Sequence, residues 1–336
     1  MREPGFWRRS GVRARLLKPV AMAYAAVADT RMNRKGARAD VPVFCIGNLT
    51  VGGAGKTPTA IAIARLFLDH GEHPFFLTRG YGGSLKGPLS IQPAHTAKEV
   101  GDETLLLDAI APTVIARDRV TGAAMAVKGG ASVIIMDDGF QNPSLEKDFS
   151  LLVIDGDRGI GNGRVFPAGP LRASLSAQLS RADAVLFVGH MGPDAHSIKI
   201  RAERKSLPVL YGRVKADRSV ADRLTGHKVL AFSGIGYPDK FFATLESCGI
   251  AVRQTRSFAD HHRFTKDEAE KLLALAAQEN LALITTEKDM ARMRDDPALA
   301  RLTESTFVLP VKMTFDDETA IQRDVIERFL AVSGAR

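Results

Sequence analysis

A glycine-rich segment near the N-terminus has the residue types that bind phosphate. Residues 47–58 read Gly-Asn-Leu-Thr-Val-Gly-Gly-Ala-Gly-Lys-Thr-Pro and stand between a short apolar run and an apolar-periodic helix. Glycines let the backbone curl so that successive N–H groups and the helix N-terminus face an anionic phosphate. In such a loop Lys56 reaches the β- and γ-phosphates of ATP, and the Thr57 hydroxyl binds Mg²⁺. The predicted nucleotide ligands are Thr50, Val51, Gly52, Gly53, Ala54, Gly55, Lys56 and Thr57.

Two adjacent carboxylates follow a second apolar run. Residues 132–136 are apolar after the first serine, and Asp137 and Asp138 come directly after them. A carboxylate at the C-terminal end of a strand beside a phosphate loop is placed to hold Mg²⁺. Adjacent strand residues point to opposite faces, so only one of the two is expected to approach the metal directly. The pattern does not say which.

Four further residues are candidates for catalysis or binding. Asp102 begins an apolar helix, where it is either an N-cap or a catalytic carboxylate. His261 lies in an Asp-His-His run, where it is either structural or part of a general base. Arg79 and Tyr81 follow the second predicted strand, at the sheet edge where ligands collect, although a solvated loop fits them equally.

The elements that carry these residues alternate between short apolar runs and helical periods from residue 43 onward. This alternation predicts an α/β protein with a P-loop NTPase-type parallel sheet flanked by helices. Strands are predicted at 43–46, 74–77, 113–116, 132–136, 151–154, 184–188, 209–211, 228–232 and 281–285, with helices at 58–69, 102–109, 119–128, 174–179, 239–247, 266–278 and 316–332. A polar region at 190–227 is read as a connection with one strand. It divides a kinase-type domain (41–225) from a smaller α/β domain (226–336), whose last helix is expected to pack back on the first.

Net charge is concentrated in the first forty residues. They hold ten basic and three acidic side chains, so they account for most of the net charge of +8. A near-neutral body with one basic arm argues against nucleic acid and favours a local anionic surface. The apolar stretch at 16–28 is too short to span a bilayer. We interpret residues 1–40 as a membrane-associating segment with Trp7 and Tyr24 at the boundary, the alternative being an ordinary first helix packed on the core.

Seven motifs in order resemble one family, the tetraacyldisaccharide 4'-kinases of lipid A biosynthesis. They are GNLTVGGAGKTP, LTRGYGG, VGDE, DDGFQ, RVFPAGPLR, FADHH and TTEKD, and they extend over most of the chain. The resemblance implies two α/β domains with the nucleotide between them. It also implies transfer of the γ-phosphoryl group of ATP to the 4'-hydroxyl of a tetraacylated glucosamine disaccharide 1-phosphate.

The resemblance further assigns roles to residues. Asp102 becomes the base with His261 as its partner, Lys56 contacts the phosphates, and Thr57 with Asp138 or Asp137 holds Mg²⁺. Substrate contacts are assigned to motif residues Arg79, Tyr81, Gln141 and Arg172. The partners implied are a glycolipid and the anionic cytoplasmic face of the inner membrane, where the enzyme is peripheral, with no nucleic acid and no obligate protein partner.

The chain departs from the family pattern at two positions, and three other functional classes share parts of its sequence pattern. Ala173 stands where the family commonly has glutamate, and Asn142 where it has histidine. A membrane-associated ATPase switch would carry lysine at the position of Val51. A GTPase would carry N-K-x-D, which Thr286 to Asp289 does not match. A soluble small-molecule P-loop kinase remains an alternative if the basic arm is structural.

Overall fold

The computed structural model describes residues 4–8 and 11–334, so Arg2 and Arg9 of the basic arm lie outside the described residues. The strands are β1 Val43–Asn48, β2 Pro74–Thr78, β3 Leu89–Ser90, β4 Thr113–Ile115, β5 Val133–Asp137, β6 Phe149–Asp155, β7 Ala184–Val188, β8 Val209–Ala216, β9 Lys228–Ser233, β10 Ala251–Ser257, β11 Ala282–Thr286, β12 Thr306–Leu309 and β13 Val311–Phe315. The helices are α1 Val12–Leu16, α2 Lys18–Met32, α3 Lys56–Asp69, α4 Ala97–Val100, α5 Asp102–Asp108, α6 Arg119–Lys128, α7 Leu175–Leu179, α8 Pro193–Glu203, α9 Arg218–Arg223, α10 Pro238–Ser247, α11 Lys266–Glu279, α12 Glu287–Met293, α13 Ala300–Glu304, α14 Glu318–Ile321 and α15 Arg328–Gly334, with a π turn at Gln322–Glu327 before α15.

A nine-stranded sheet forms the larger half of the molecule. Its order is β13-β8-β7-β6-β1-β5-β2-β4-β3, parallel except for the antiparallel edge strands β13 and β3. Every residue of β1, β5 and β7 is buried, as expected for strands covered by helices on both faces. On one face Phe44 stacks on Phe149 at 5.2 Å between ring centroids and meets Phe67 and Phe329 edge-on. The predicted α/β class is therefore confirmed.

A second, four-stranded parallel sheet has the order β10-β9-β11-β12. Its cores draw on apolar side chains from residue 221 to residue 309, including Leu230, Phe232 and Leu283. The chain then returns to the first sheet, where β13 pairs with β8 and Phe329 of α15 joins the core around Phe44. The domain boundary at residue 225 remains a prediction. Both β13 and α15, which follow the second sheet in the chain, pack on the first sheet.

The region at 190–227 is more structured than the sequence suggests. It contains α8, the eight-residue β8 and α9, where only one short strand was predicted. Ala195, Ile198 and Ala202 are the buried face of α8, and apart from Pro193 and the exposed Ile200 the rest of that helix is polar. The prediction was wrong here because three small or medium apolar residues were enough to anchor the helix.

The N-terminal helices bury few side chains and expose several apolar ones. Ala14, Ala21 and Met32 are buried. With spacings of three or four residues, Leu16, Val20, Tyr24 and Val27 are 74%, 58%, 43% and 61% exposed. The sequence predicted Trp7 at the membrane boundary, but it does not lie at this surface. It is buried, and its indole N–H donates to the Pro167 carbonyl at 3.0 Å. Among the described residues, no helix is long and apolar enough to cross a membrane.

Candidate active site between the two sheets

The glycine-rich loop follows β1 and leads directly into α3. Gly55 is the N-cap of that helix with φ of +85°, and Gly52 has φ of +113°, a region that favours glycine. The start of the loop is fixed to the segment at 170–172, since Val51 N–H donates to Pro170 O at 2.8 Å and Arg172 N–H to Leu49 O at 3.0 Å. Gly52 and Gly53 are exposed, so the loop presents its backbone to solvent at the head of α3.

Asp138 lies at the centre of a charged cluster beside the loop. Its carboxylate accepts two hydrogen bonds from Arg172, at 2.9 and 3.2 Å, and lies 3.6 Å from Lys56 Nζ. Burial alone would raise the pKa of Asp138, but the cations Lys56 and Arg172 outweigh it and lower the pKa to about 2. Arg172 also donates to Thr50 O at 3.0 Å, so it connects this carboxylate to the phosphate loop.

Asp137 is a different kind of carboxylate from its neighbour. It ends β5, is 2% exposed, and its Oδ1 has no hydrogen-bond partner among the described residues. Burial, together with the nearby Glu103 carboxylate, raises its pKa to about 7. Thr57, at the start of α3, is also buried. A buried carboxylate with an unused oxygen and a threonine hydroxyl are donors that suit Mg²⁺.

The described residues contain no group of three or more His, Cys, Asp or Glu side chains that could hold a metal by themselves. Mg²⁺ in phosphoryl-transfer sites uses one or two carboxylates together with substrate phosphates and water. The donor set of Asp137 and Thr57 therefore fits an ion that arrives with a nucleotide.

Asp102 and His261 meet across the gap between the two sheets. Asp102 is the first residue of α5 and is 3% exposed, and its Oδ1 lies 3.3 Å from His261 Nδ1. His261 follows β10, has φ of +56°, and its N–H donates to Gly234 O at 3.0 Å. The hydrogen bond to Asp102 raises the pKa of His261. Burial would raise the pKa of Asp102, but the hydrogen bond from His261 and the charge of Arg292 hold it well below its usual range.

Helix α12 contributes two cations that sequence reasoning did not assign. Arg292 Nε donates to Asp102 Oδ2 at 2.9 Å, and Lys288 is paired with Glu103. Both residues lie in or just after the TTEKD motif, which was the only sequence signal for them. The motif's last residue, Asp289, is completely buried and accepts from Ser233, Gly234 N–H, Thr286 and Arg292.

Of the four predicted substrate residues, two are exposed and two are engaged in hydrogen bonds within the protein. Tyr81 is 66% exposed, and its ring meets His261 edge-on at 5.1 Å between centroids. Arg79 is exposed at the end of β2. Gln141 is used internally, since its amide donates to Asn48 O and to Gln178 Oε1, each at 2.9 Å. Arg172 is committed to Asp138 and Thr50, as described above.

The two departures from the family pattern lie beside the site without entering it. Ala173 is completely buried in the core under the loop. The Asn142 side chain accepts from Ser144 N–H at 2.8 Å and so closes a turn.

Two cavities open along the gap between the sheets. One of about 230 Å³ is lined by Asp102, His261 and Arg292 together with Gly82, Lys98 and Arg263. The other, about 330 Å³, borders the phosphate loop at Thr50. At its edge Arg158 lies over the Tyr237 ring at 3.9 Å, and Lys240 pairs with Asp155 and Asp157 at 2.9 and 3.2 Å.

Comparison with known proteins identifies the family of this chain. The family model described as tetraacyldisaccharide-1-P 4'-kinase matches residues 13–330. The tetraacyldisaccharide 4'-kinase of Nitrobacter winogradskyi is 49% identical over 96% of each chain. The one from Rhodopseudomonas palustris strain BisB18 is 51% identical over 98% of this chain and 96% of its own. The crystal structure of "apo" form LpxK from Aquifex aeolicus in complex with ATP superposes with a TM-score of 0.72 at 26% identity, covering 94% of this chain and 99% of that one. The chain belongs to the tetraacyldisaccharide 4'-kinase family.

Proposed function

We propose that this protein transfers the γ-phosphoryl group of ATP to the 4'-hydroxyl of tetraacyldisaccharide 1-phosphate in lipid A biosynthesis. One observation carries the proposal: the Asp102–His261 pair lines one cavity along the gap between the sheets and Thr50 of the phosphate loop lines the other, in a chain about half identical to kinases of that name. The relative from Aquifex aeolicus was crystallised with ATP, which supports ATP as the donor.

The reaction is an in-line displacement at the γ-phosphorus. The sugar 4'-oxygen forms a bond to the γ-phosphorus, the bond to the β,γ-bridging oxygen breaks, ADP leaves, and the hydroxyl proton passes to the Asp102–His261 pair. Asp102 is ionised but buried and held by two partners, whereas the His261 side chain is 26% exposed. The proton-accepting role therefore belongs to the pair, with Asp102 orienting the imidazole and stabilising its protonated form.

The phosphate loop supplies the charge stabilisation. In this role its N–H groups and Lys56 face the β- and γ-phosphates of a bound nucleotide, where negative charge accumulates as the bond breaks. Mg²⁺, when bound, neutralises charge on the phosphate oxygens. Thr57 and Asp137 would hold it, because Asp137 keeps a buried oxygen free while both oxygens of Asp138 are engaged by Arg172. The cavity beside Thr50 offers room for the nucleoside.

The exposed face of α1 and α2 is the proposed contact with the membrane. Its apolar side chains are flanked by the exposed cations Arg13, Arg15 and Lys18. An apolar stripe bordered by basic residues suits a helix lying in an anionic membrane surface. We infer a peripheral enzyme at the cytoplasmic face of the inner membrane, where its acylated substrate is embedded.

The activity itself is tested with purified protein, radiolabelled ATP and the tetraacylated disaccharide 1-phosphate. Formation of a new bis-phosphorylated lipid that depends on Mg²⁺ is the expected result. ATP hydrolysis without any labelled lipid would favour the ATPase alternative, and labelling of a soluble sugar alone would favour the soluble kinase.

Membrane binding can be separated from folding with a triple variant, Leu16→Gln/Val20→Gln/Val27→Gln. These side chains are exposed, so their replacement removes apolar contact with lipid without opening the core. We expect co-sedimentation with anionic vesicles to fall by at least about tenfold, while ATP binding is retained. Binding by the unaltered protein should weaken as salt is raised, since charges are screened beyond about 8 Å at physiological ionic strength.

A matched control replaces exposed apolar residues elsewhere. Leu68 and Ile200 are 42% and 50% exposed, and Leu68→Gln/Ile200→Gln should leave vesicle binding unchanged. Equal loss in both variants, or none in the first, would remove α1 and α2 as the membrane contact.

A further inference from the structure

Arg292 is placed unlike any other cation around the proposed catalytic pair. Its side chain is 7% exposed, and its guanidinium reaches three groups at once. Nε and Nη2 lie 2.9 and 2.8 Å from Asp102 Oδ2, and Nη1 donates to Asp289 Oδ1 and to Gly234 O, each at 2.8 Å. A planar guanidinium with several donors fixes geometry in a way that a lysine ammonium cannot.

These contacts divide the Asp102 carboxylate between two partners. Oδ2 faces Arg292, and Oδ1 is left to face His261. Gly234 O accepts from both Arg292 Nη1 and the His261 backbone N–H. The same guanidinium therefore orients the Asp102 carboxylate at the start of α5 and holds the loop that carries His261.

The Asp289 carboxylate holds the Arg292 side chain in position. Asp289, one turn earlier on α12, has no exposed surface and accepts four hydrogen bonds, including one from Ser233 at the end of β9. Lys288, on the same helix, pairs with Glu103 next to Asp102. Helix α12 is thereby joined to the N-terminus of α5 by two ion pairs.

We propose that Arg292 is a positioning residue for phosphoryl transfer, which holds Asp102 with one oxygen directed at His261 and couples the pair to the second sheet. This inference rests on the proposed function. It assigns Arg292 no contact with ATP or with the acceptor.

The charged groups around the Asp102–His261 pair determine how activity should depend on pH. Asp102 is faced by His261, Arg292 and Lys288, and His261 by Asp102, Asp260 and Arg292. The Arg292 cation opposes protonation of His261, so its removal should raise the pKa of that imidazole further. If the deprotonated imidazole is the active form, the acidic limb of kcat/KM must then move to higher pH. Asp102→Asn should move it the opposite way, because the carboxylate is the main cause of the raised pKa.

The test compares Arg292→Ala and Arg292→Lys with the unaltered enzyme. We expect Arg292→Ala to lower kcat by about 10- to 100-fold, as much as the loss of a residue that orients a metal-binding side chain, with KM for ATP little changed. Millimolar guanidine should restore part of the activity, while methylammonium should not, because only guanidinium can bridge the three acceptors. Arg292→Lys keeps the charge, so its acidic limb should stay near that of the unaltered enzyme although kcat falls.

Several outcomes would overturn the proposal. An unchanged kcat in Arg292→Lys would do so, and that variant decides the question if Arg292→Ala does not fold. The proposal would also fail if the acidic limb of kcat/KM did not move in a folded Arg292→Ala, or if guanidine and methylammonium restored the activity of that variant equally. Titration of the His261 imidazole by NMR needs no acceptor. It can therefore show the expected rise in the pKa of His261 in Arg292→Ala even if the acceptor proves to be another compound. Failure of the proposed function is thus distinguishable from failure of the role proposed for Arg292.

Discussion

Lys56→Ala is expected to lower phosphoryl transfer by at least about 10³-fold, because charge stabilisation on the transferring phosphates is the main catalytic contribution in this class of reaction. The Lys56 side chain is only 11% exposed at the first residue of α3, 3.6 Å from Asp138. Its removal leaves Asp138 paired with Arg172, so the fold should persist. The measurement is turnover with saturating disaccharide, together with the midpoint of thermal unfolding.

Lys128→Ala is the matched control. That lysine is exposed at the end of α6, away from the gap between the sheets, and its loss should leave turnover and stability unchanged. If Lys56→Ala retained turnover within tenfold of the unaltered enzyme, this loop could not be the site of the ATP phosphates.

Asp102→Asn is expected to reduce kcat by roughly 10²- to 10⁴-fold, the range for loss of a positioned acid–base group. Asparagine preserves the shape of the side chain but cannot stabilise a protonated His261. Arg292 still has Asp289 as a partner in this variant, so the carboxylate can be neutralised without leaving a buried cation unpaired. ATP affinity should stay near that of the unaltered enzyme, since the phosphate loop is untouched.

A double-mutant cycle with His261→Ala shows whether the two residues act together. For a pair that works as a unit, the double variant should be little worse than the worse single variant. Multiplicative losses would mean that each contributes independently and that the pair is the wrong description. Asp317→Asn, at the N-cap of α14, is a control for the same change of residue at a distant helix start.

The sequence predicted those elements whose signals are local. Strand β7 is an unbroken apolar run and β1 is apolar from Val43 to Ile46, and both were predicted within two residues of their observed bounds. The strand β10 was missed because it is an edge strand with mostly exposed polar side chains, so it has no apolar alternation. Helix α8 was missed for the related reason that its buried face is small.

The same distinction separates the parts of the candidate site. The fold of the glycine-rich loop between β1 and α3 could be predicted because its residues are consecutive and two of its glycines, Gly52 and Gly55, take positive φ. Its nucleotide ligands stay a prediction. Arg292 could not be predicted, since its partner Asp102 is 190 residues away and an arginine in an amphipathic helix has no distinguishing pattern. The different environments of Asp137 and Asp138 were also invisible, because burial and the reach of Arg172 depend on tertiary packing.

The pairing of β8 with β13 makes the second sheet an insertion within the first. Ala216 and Val311 are register partners, and Asp217 N–H donates to Pro310 O at 2.9 Å, so the intervening chain leaves and returns at one place. In evolutionary terms such a module can be gained or lost at a hairpin without rearranging the strands of its host. The proposed phosphate ligands lie in the host together with Asp102, whereas His261 and Arg292 lie in the insertion. The proposed catalytic pair therefore has one residue in each module, and it forms only where the insertion packs against the host.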